Sequence, residues 1–294
     1  MKYINKSEAP RFYRDKVRGK IALIQTMFAN GDSRSDIWSE FWNNKNGSKQ
    51  KKRLRECLLV DQGYVCCYCG RRINIQETVI EHLEPKENAD RLTNFNNLYA
   101  SCSGGNQTTI IAGSMTLNEI CQEYSTTSGA IYALNGKTSF QNGEEIKVPK
   151  DGNGGYCDHK KNADTIRVKP NQTDVADRFQ YSNHVYVEDN KNKTGIGIDA
   201  HPNDDEDVTN TIDTLNLNHQ TLLKRRRDFV KKMNLEIKGR FEKCANDNDV
   251  LDVIERYIGY YGRKNGGRYE PFYFVCLFDL QKKKDKILER IGLN

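Results

Sequence analysis

No stretch of this 294-residue sequence approaches the ~20 consecutive apolar residues that a membrane-spanning helix needs. The opening residues, Met1-Lys2-Tyr3-Ile4-Asn5-Lys6, lack the apolar core of a secretory signal. There is no internal repeat and no heptad run, which sets aside solenoids and coiled coils. Histidine is scarce, at five residues, so each one can be weighed individually. The expectation is a protein of the reducing cytoplasm with no membrane partner. In that compartment the nine cysteines are expected as metal ligands and buried thiols, not disulfides.

The composition that remains is that of a polar globular chain, 36% hydrophobic and 29% charged, long enough for one large domain or two modest ones. The net charge of +6 is unevenly spread. Residues 1–60 hold fourteen Lys or Arg against six Asp or Glu. Further basic runs stand at Lys224-Arg225-Arg226-Arg227 and Lys282-Lys283-Lys284, and an acidic one at Asp204-Asp205-Glu206-Asp207. Each run alone reads as a solvated helix face. Together with a phosphate-handling centre they fit a polyanion.

Apolar periodicity predicts helices over residues 10–29, 36–42 and 48–63. Trp38 and Trp42 fall in the second and read as core anchors. The pattern then turns β-rich. Tyr64 to Cys67 and Ile73 to Ile80 are expected to pair as a hairpin, with His82 ending its second strand. Residues 86–97 read as a polar loop. Residues 103–156, rich in Gly, Asn, Ser and Thr, read as an insertion that is mobile or ordered by a partner, with one short helix over 117–124. A second hairpin is expected over 178–188, turning at Asn183-His184. Four helices follow, over 206–215, 218–244, 250–261 and 271–291. The expectation is an α+β chain, mainly helical. It divides into an N-terminal helical region (1–62), a central core with the insertion (63–175), and a hairpin with C-terminal helices (176–294).

The central region carries the chemistry. Cys66 and Cys69 have the CxxC spacing of a zinc knuckle, whose tight turn aims both thiolates at one tetrahedral ion. Cys67 offers only the poorer CxC geometry. A third ligand is Cys102. Gly105 stands where its partner is expected, and Cys157, 54 residues further on, is the best remaining donor. Zn²⁺ would then close a knuckle split by the insertion. Between the halves lies Glu81-His82-Leu83-Glu84-Pro85. Phosphodiester hydrolysis needs an activated water, neutralised phosphate charge and help for the leaving oxygen. His82 suits the general base because imidazole titrates near neutral pH. Glu81, its neighbour on the strand end, suits a hard cation such as Mg²⁺ or Mn²⁺. Asn97 is placed to brace the facing loop, so that a backbone carbonyl fixes the imidazole tautomer. A second ligand for the hard cation is Asp158, by hardness, or His159. Lys160 and Lys161 are read as phosphate contacts. His184, His201 and His219 lack such company and read as surface or packing residues.

These motifs resemble those of a known family. Cys66-x-x-Cys69-Gly70, Glu81-His82-x-x-Pro85, Asn97-Leu98 and Cys102 resemble the HNH endonuclease pattern with its ββα-metal fold. The late Cys157-Asp158-His159-Lys160-Lys161-Asn162, the run Thr211-Ile212-Asp213-Thr214-Leu215-Asn216-Leu217-Asn218 and the opening Ile4-Asn5-Lys6-x-x-Ala9-Pro10 are similar to the PtuB-type HNH proteins of Septu and retron-associated anti-phage defence. Glu81 stands where many HNH motifs have aspartate. The resemblance implies a ββα-metal nuclease core, with His82 as general base, Glu81 and Asp158 or His159 at the catalytic metal, and Asn97 as the middle asparagine. It also implies a PtuA-like AAA/ABC ATPase partner and, in the retron branch, a reverse transcriptase with its msDNA. DNA is the default substrate and structured RNA such as tRNA the alternative.

Two other readings compete. One is a non-catalytic, zinc-stabilised module that binds nucleic acid or a partner, with Glu81-His82 coincidental. The other is a scaffold whose helical ends dock the ATPase, which is compatible with a nuclease centre.

Overall fold

A long apolar stripe needs a facing layer, and the N-terminal third supplies its own. In the computed structural model, α1 (Arg11–Ala29), α2 (Arg34–Trp42) and α3 (Gly47–Gln62) pack together. Ser33 caps α2 by accepting from the amide of Asp36, and Gly63, at φ 62°, ends α3 in the left-handed conformation. Pro10 stands at the N-cap of α1. The structure describes residues 1–104, 106–110, 113–123, 138–149, 155–161, 163–188 and 191–292. Gly105, Tyr124 and Asn162 therefore lie outside the described residues.

The fold is α+β, about half helical, with small sheets. The central hairpin is not the expected one. β1 (Thr78–His82) pairs antiparallel with β2 (Leu98–Cys102), in a register that sets Glu81 opposite Tyr99 and His82 opposite Leu98. Residues 64–67 make only an isolated bridge, Val65 to Arg72. The knuckle closes on itself too tightly to extend a ladder: the Cys66 amide donates to Arg71 O at 2.9 Å, and the Gly70 amide to Cys66 O at 3.1 Å. Gln62, the last residue of α3, then covers the free edge of β2. Its Oε1 accepts from the Ala100 amide at 2.7 Å and its Nε2 donates to Ala100 O at 2.8 Å. A buried glutamine thus takes the place of a third strand.

The expected loop 86–97 contains α4 (Ala89–Thr93), capped by Asn88, and a 3-10 turn, Phe95–Asn97. In the insertion, β3 (Asn106–Ile110) pairs with β6 (Glu145–Pro149). β4 (Met115–Thr116), followed by α5 (Leu117–Glu123), pairs with β5 (Ser139–Phe140). Two ladders thus add to the single helix read from sequence. Next comes α6 (Asp158–Lys161). The second hairpin is longer than expected. β7 (Phe179–Glu188) runs straight through Asn183 and His184, and β8 (Lys191–Ala200) pairs with it residue for residue. His184 binds Asp199 across the ladder at 2.8 Å, which accounts for a polar pair in mid-strand.

The chain closes with α7 (Glu206–Thr214), α8 (Gln220–Phe241), α9 (Asp247–Tyr261) and α10 (Tyr273–Arg290), near the predicted spans. β8 lies on α8, and α9 on α10. One continuous apolar core draws on all these parts, from Tyr13 of α1 through Leu98 of β2 and Tyr156 to Ile198 of β8 and Leu280 of α10. It crosses residues 62 and 175, so the three segments read from sequence share one interior. Among the described residues, no helix is long and apolar enough to cross a membrane.

A thiolate cluster beside paired carboxylates

Cys66 and Cys69 leave the knuckle turn, Cys102 ends β2, and Cys157 precedes α6. Their sulfurs all lie within 4.8 Å of one another, and all four residues are buried. Cys67, adjacent and equally buried, is outside the group; its amide donates to Ala100 O at 3.1 Å. The four cysteines lie close together and could hold a metal ion such as zinc.

Bringing Cys157 back to β2 needs close backbone contact. The Tyr156 amide donates to Gly104 O at 3.1 Å, and a Cβ on Gly104 would sit 2.1 Å from Tyr156 O. Gly104, at φ 71°, is therefore required by both conformation and space. The Cys157 amide donates to Leu215 O at 2.8 Å, and Asn216 Nδ2 to Gly155 O at 2.9 Å. The run Thr211–Asn218 is thus a clamp on the returning chain. Thr211 Oγ1 accepts from the Val168 amide, and Asn218 bonds both backbone groups of Ile198.

The charge around the sulfurs fits a metal tetrathiolate. Four thiolates around a divalent ion leave two net negative charges. Two guanidiniums stand beside them. Arg71 feels Cys102 and Cys69, which, although burial opposes its charge, hold its pKa above the usual value. Arg226 is fully buried, donates to Ile196 O and Leu217 O, and feels Cys69 and Cys157. Burial pushes the Cys102 and Cys157 thiols up. Burial acts the same way on Cys66, but hydrogen bonds from Cys102 and Cys157 outweigh it and hold that thiol low. Thiols this close cannot all ionise without a cation between them.

Against this cluster stands a second group. Glu81, 4% exposed, accepts from Tyr68 Oη at 2.9 Å and pairs with Lys161 Nζ at 2.8 Å. The carboxyl of Asp158 lies against that of Glu81. Burial first, then the hydrogen bond and charge of Glu81, raise the Asp158 pKa well above the ordinary carboxylate value. A buried carboxylate and a half-buried one side by side call for a shared proton or a cation. Asp158 and Lys161 share a face of α6 at i, i+3, so both reach Glu81. His159 points elsewhere: its ring packs where a Cβ on Gly155 would lie, and its Cβ where one on Gly104 would lie. Of the lysines read as phosphate contacts, Lys160 is exposed. Lys161 is buried and also donates to His82 O at 3.2 Å.

His82, 6% exposed, ends β1 with its ring edge-on to Trp38, centroids 4.8 Å apart. Its Nε2 lies 3.1 Å from Leu92 O. A carbonyl only accepts, so the proton sits on Nε2 and Nδ1 is the basic nitrogen. Asn97 braces the adjoining residues of that loop, not the Leu92 carbonyl itself. Asn97 Nδ2 donates to Arg91 O at 2.8 Å and Glu84 O at 3.0 Å, and its Oδ1 accepts from the Glu84 amide at 2.7 Å.

Burial, assisted by the charge of Lys86, lowers the His82 pKa to about 4. An unfolded histidine, at about 6.5, takes up a proton over the window down to about 4 in which the native one stays neutral. Acidification through that window therefore removes stability, of the order of 3 kcal/mol for this group. Urea melts of the parent and of His82→Gln at pH values between about 7 and about 4 read this directly. The parent's advantage is expected to shrink as pH falls; a constant difference would show that His82 does not titrate abnormally.

Several residues that shape the site were not read as site residues from the sequence: Gln62, Tyr68, Arg71 and Lys86, together with Trp38, read as a core anchor, and Arg226, read as part of a solvated basic run. Only Tyr68 carried a local signal, its place inside Cys66-Cys67-Tyr68-Cys69. Comparison with protein-family models, curated proteins and solved structures returns no match for the chain.

Proposed function

We propose that the chain is a metal-dependent endonuclease of the HNH type, cleaving phosphodiester bonds with the β1–β2 hairpin and α6 as its ββα-metal core. The observation that carries this reading is the joint placement, beside the four cysteines, of Glu81 against Asp158 and of a neutral His82 whose tautomer is fixed by Leu92 O, in a loop that Asn97 braces at Arg91 and Glu84.

In this reading His82 Nδ1 takes a proton from the water that attacks phosphorus. A bond forms from the water oxygen to phosphorus as the bond from phosphorus to the departing sugar oxygen breaks. Asn97 braces the loop that presents the Leu92 carbonyl to the imidazole, through the Arg91 carbonyl next to it and both backbone groups of Glu84. Glu81 and Asp158 are the hard oxygen donors that would hold Mg²⁺ or Mn²⁺; their enforced proximity fits a cation. When bound, such an ion supplies charge neutralisation at a phosphate oxygen and at the leaving oxygen. Lys161 positions Glu81. A phosphate beside Lys86 would offset one of the charges that depress His82 and so restore its basicity. DNA is the favoured substrate and structured RNA the alternative. A role in anti-phage defence beside a PtuA-like ATPase rests on the motif resemblance alone.

One observation favours the alternative of a non-catalytic zinc module. The Lys161–Glu81 ion pair gives Glu81 a structural use that requires no second metal. Incubating the protein with plasmid DNA, total RNA and bis(p-nitrophenyl) phosphate, in Mg²⁺ or Mn²⁺ against EDTA, separates the two. Hydrolysis that requires the divalent ion is expected. Inertness toward all three substrates in either metal would leave the zinc module as the reading.

A further inference from the structure

Some cations on this protein are paired with a neighbouring carboxylate. Lys20 meets Glu40 at 2.7 Å, and Arg91 meets Glu87 at 2.5 Å. Four cations around the hairpin differ. Arg34 opens α2, Lys51 and Arg55 lie at i, i+4 on α3, and Lys86 follows the Pro85 break after His82. Among the described residues, none of the four makes an ion pair or a side-chain hydrogen bond. Three of them, Lys51, Arg55 and Lys86, are half-buried.

They form one group. Lys51 Nζ lies 6.0 Å from the centre of the Trp38 ring, and that ring meets His82 edge-on. The charges of Arg55 and Lys86 act on Lys51, and those of Arg34 and Lys161 act on Lys86. Lys86 in turn acts on His82 and feels Glu81 and Asp158. The line runs from α3, past Trp38, to the catalytic centre.

Glu81 and Asp158 act on Lys86, but no carboxylate acts on Lys51 or Arg55, and half-burying these like charges together costs free energy that the fold recovers only at Lys86. An external polyanion removes that cost. A single small anion answers one or two of these cations; a line spread over two helices and a loop matches successive phosphates. We propose that Lys51 and Arg55 of α3, Arg34 of α2 and Lys86 form a track for a phosphodiester backbone, leading the strand across the N-terminal helices to His82. The identity of the polymer rests on the nuclease reading; the track itself rests on the cations. It gives the basic N-terminal region a substrate role where the sequence pointed to partner docking.

The test is binding without cleavage. Fluorescence anisotropy with no added Mg²⁺ or Mn²⁺ and no chelator, over a salt series, uses a short labelled DNA duplex and the RNA duplex of the same sequence. Lys51→Gln/Arg55→Gln is compared with Lys49→Gln/Lys52→Gln, which removes the same charge from exposed positions on another side of α3. Circular dichroism verifies both folds. The track variant is expected to bind roughly tenfold or more weakly at ~0.1 M salt, with a log–log salt slope lower by about two. The control variant keeps the parent slope, and each single substitution, Lys51→Gln or Arg55→Gln, lowers it by about one. Weakening in both duplexes assigns the track to the shared backbone; weakening in one names which polymer it serves.

Parent-like binding by the track variant, equal weakening by the control, or a parent that prefers polyglutamate to both duplexes would each overturn the track. Because no Mg²⁺ or Mn²⁺ is added, the binding result is independent of catalysis. Inertness toward bis(p-nitrophenyl) phosphate with duplex binding intact would overturn the nuclease reading and leave the track standing.

Discussion

His82→Ala is expected to lower nucleic-acid cleavage by about 10²–10⁴-fold, the usual worth of a positioned general base. The expectation follows from the bond between Nε2 and Leu92 O, which leaves Nδ1 as the ring's basic nitrogen. Alanine removes that nitrogen and exposes no new donor. It also strips the Leu92 carbonyl of its partner and opens space beside Trp38, so a stability loss of about 1–3 kcal/mol accompanies it. The zinc content should stay at the parent's value, because no cysteine of the cluster touches the imidazole. Gel assays on plasmid DNA, with metal analysis on the same sample, separate chemistry from folding. Cleavage within a few-fold of the parent, in a folded and zinc-replete variant, would remove His82 from the mechanism.

The second large effect concerns stability. Cys102→Ser should lose the bound metal and most of the fold's cooperativity. The four sulfurs tie together the knuckle, the end of β2 and the chain that returns after the insertion. A structural zinc site contributes an apparent ~10–16 kcal/mol in small zinc-finger peptides, against a typical whole-domain stability of about 5–15 kcal/mol. Even a fraction of that is decisive here. Loss of the ion would also leave Arg71 and Arg226 beside the site without the charge that balances them. Thermal melts with and without chelator, and zinc quantified on the purified chain, give the readout. Cys67→Ser, in the same knuckle but outside the cluster, should keep one zinc per chain and a melting temperature near the parent's. A Cys102→Ser protein that melts like the parent and retains zinc would show that the cysteines are only buried thiols.

The sequence disclosed the parts whose chemistry dictates spacing. Cys66 and Cys69 had to be separated by two residues to face one ion, and the glycine at the expected partner position of Cys102 led across 54 residues to Cys157. The long helices were legible because their apolar stripes recur with helical period. The partner of β1 was not. Leu98–Cys102 is buried on both faces, so it shows no alternation, and its edge is satisfied by a glutamine side chain that no periodicity announces. Asn183 and His184 resembled a turn because both are polar, yet cross-strand bonding to Asp199 keeps His184 within a ten-residue strand. Of the three basic residues in a row at 159–161, His159 read as a metal-ligand candidate and Lys160 and Lys161 as equivalent phosphate contacts. Only the helical phase of α6 separates them, turning Asp158 and Lys161 inward to Glu81 while His159 packs on glycines and Lys160 faces solvent. The track of unpaired cations was hidden for a related reason. Its members come from three segments, and an excess of lysine does not reveal which lysines lack partners.

The most direct test of the proposed catalytic centre is crystallographic: soak crystals with Mn²⁺ and collect data at the manganese and zinc absorption edges. Two separate anomalous peaks are expected, zinc amid the four sulfurs and manganese between the Glu81 and Asp158 carboxylates, with Lys161 Nζ moved off Glu81. A zinc peak alone, with the Lys161–Glu81 pair intact at saturating Mn²⁺, would contradict a catalytic metal at these carboxylates.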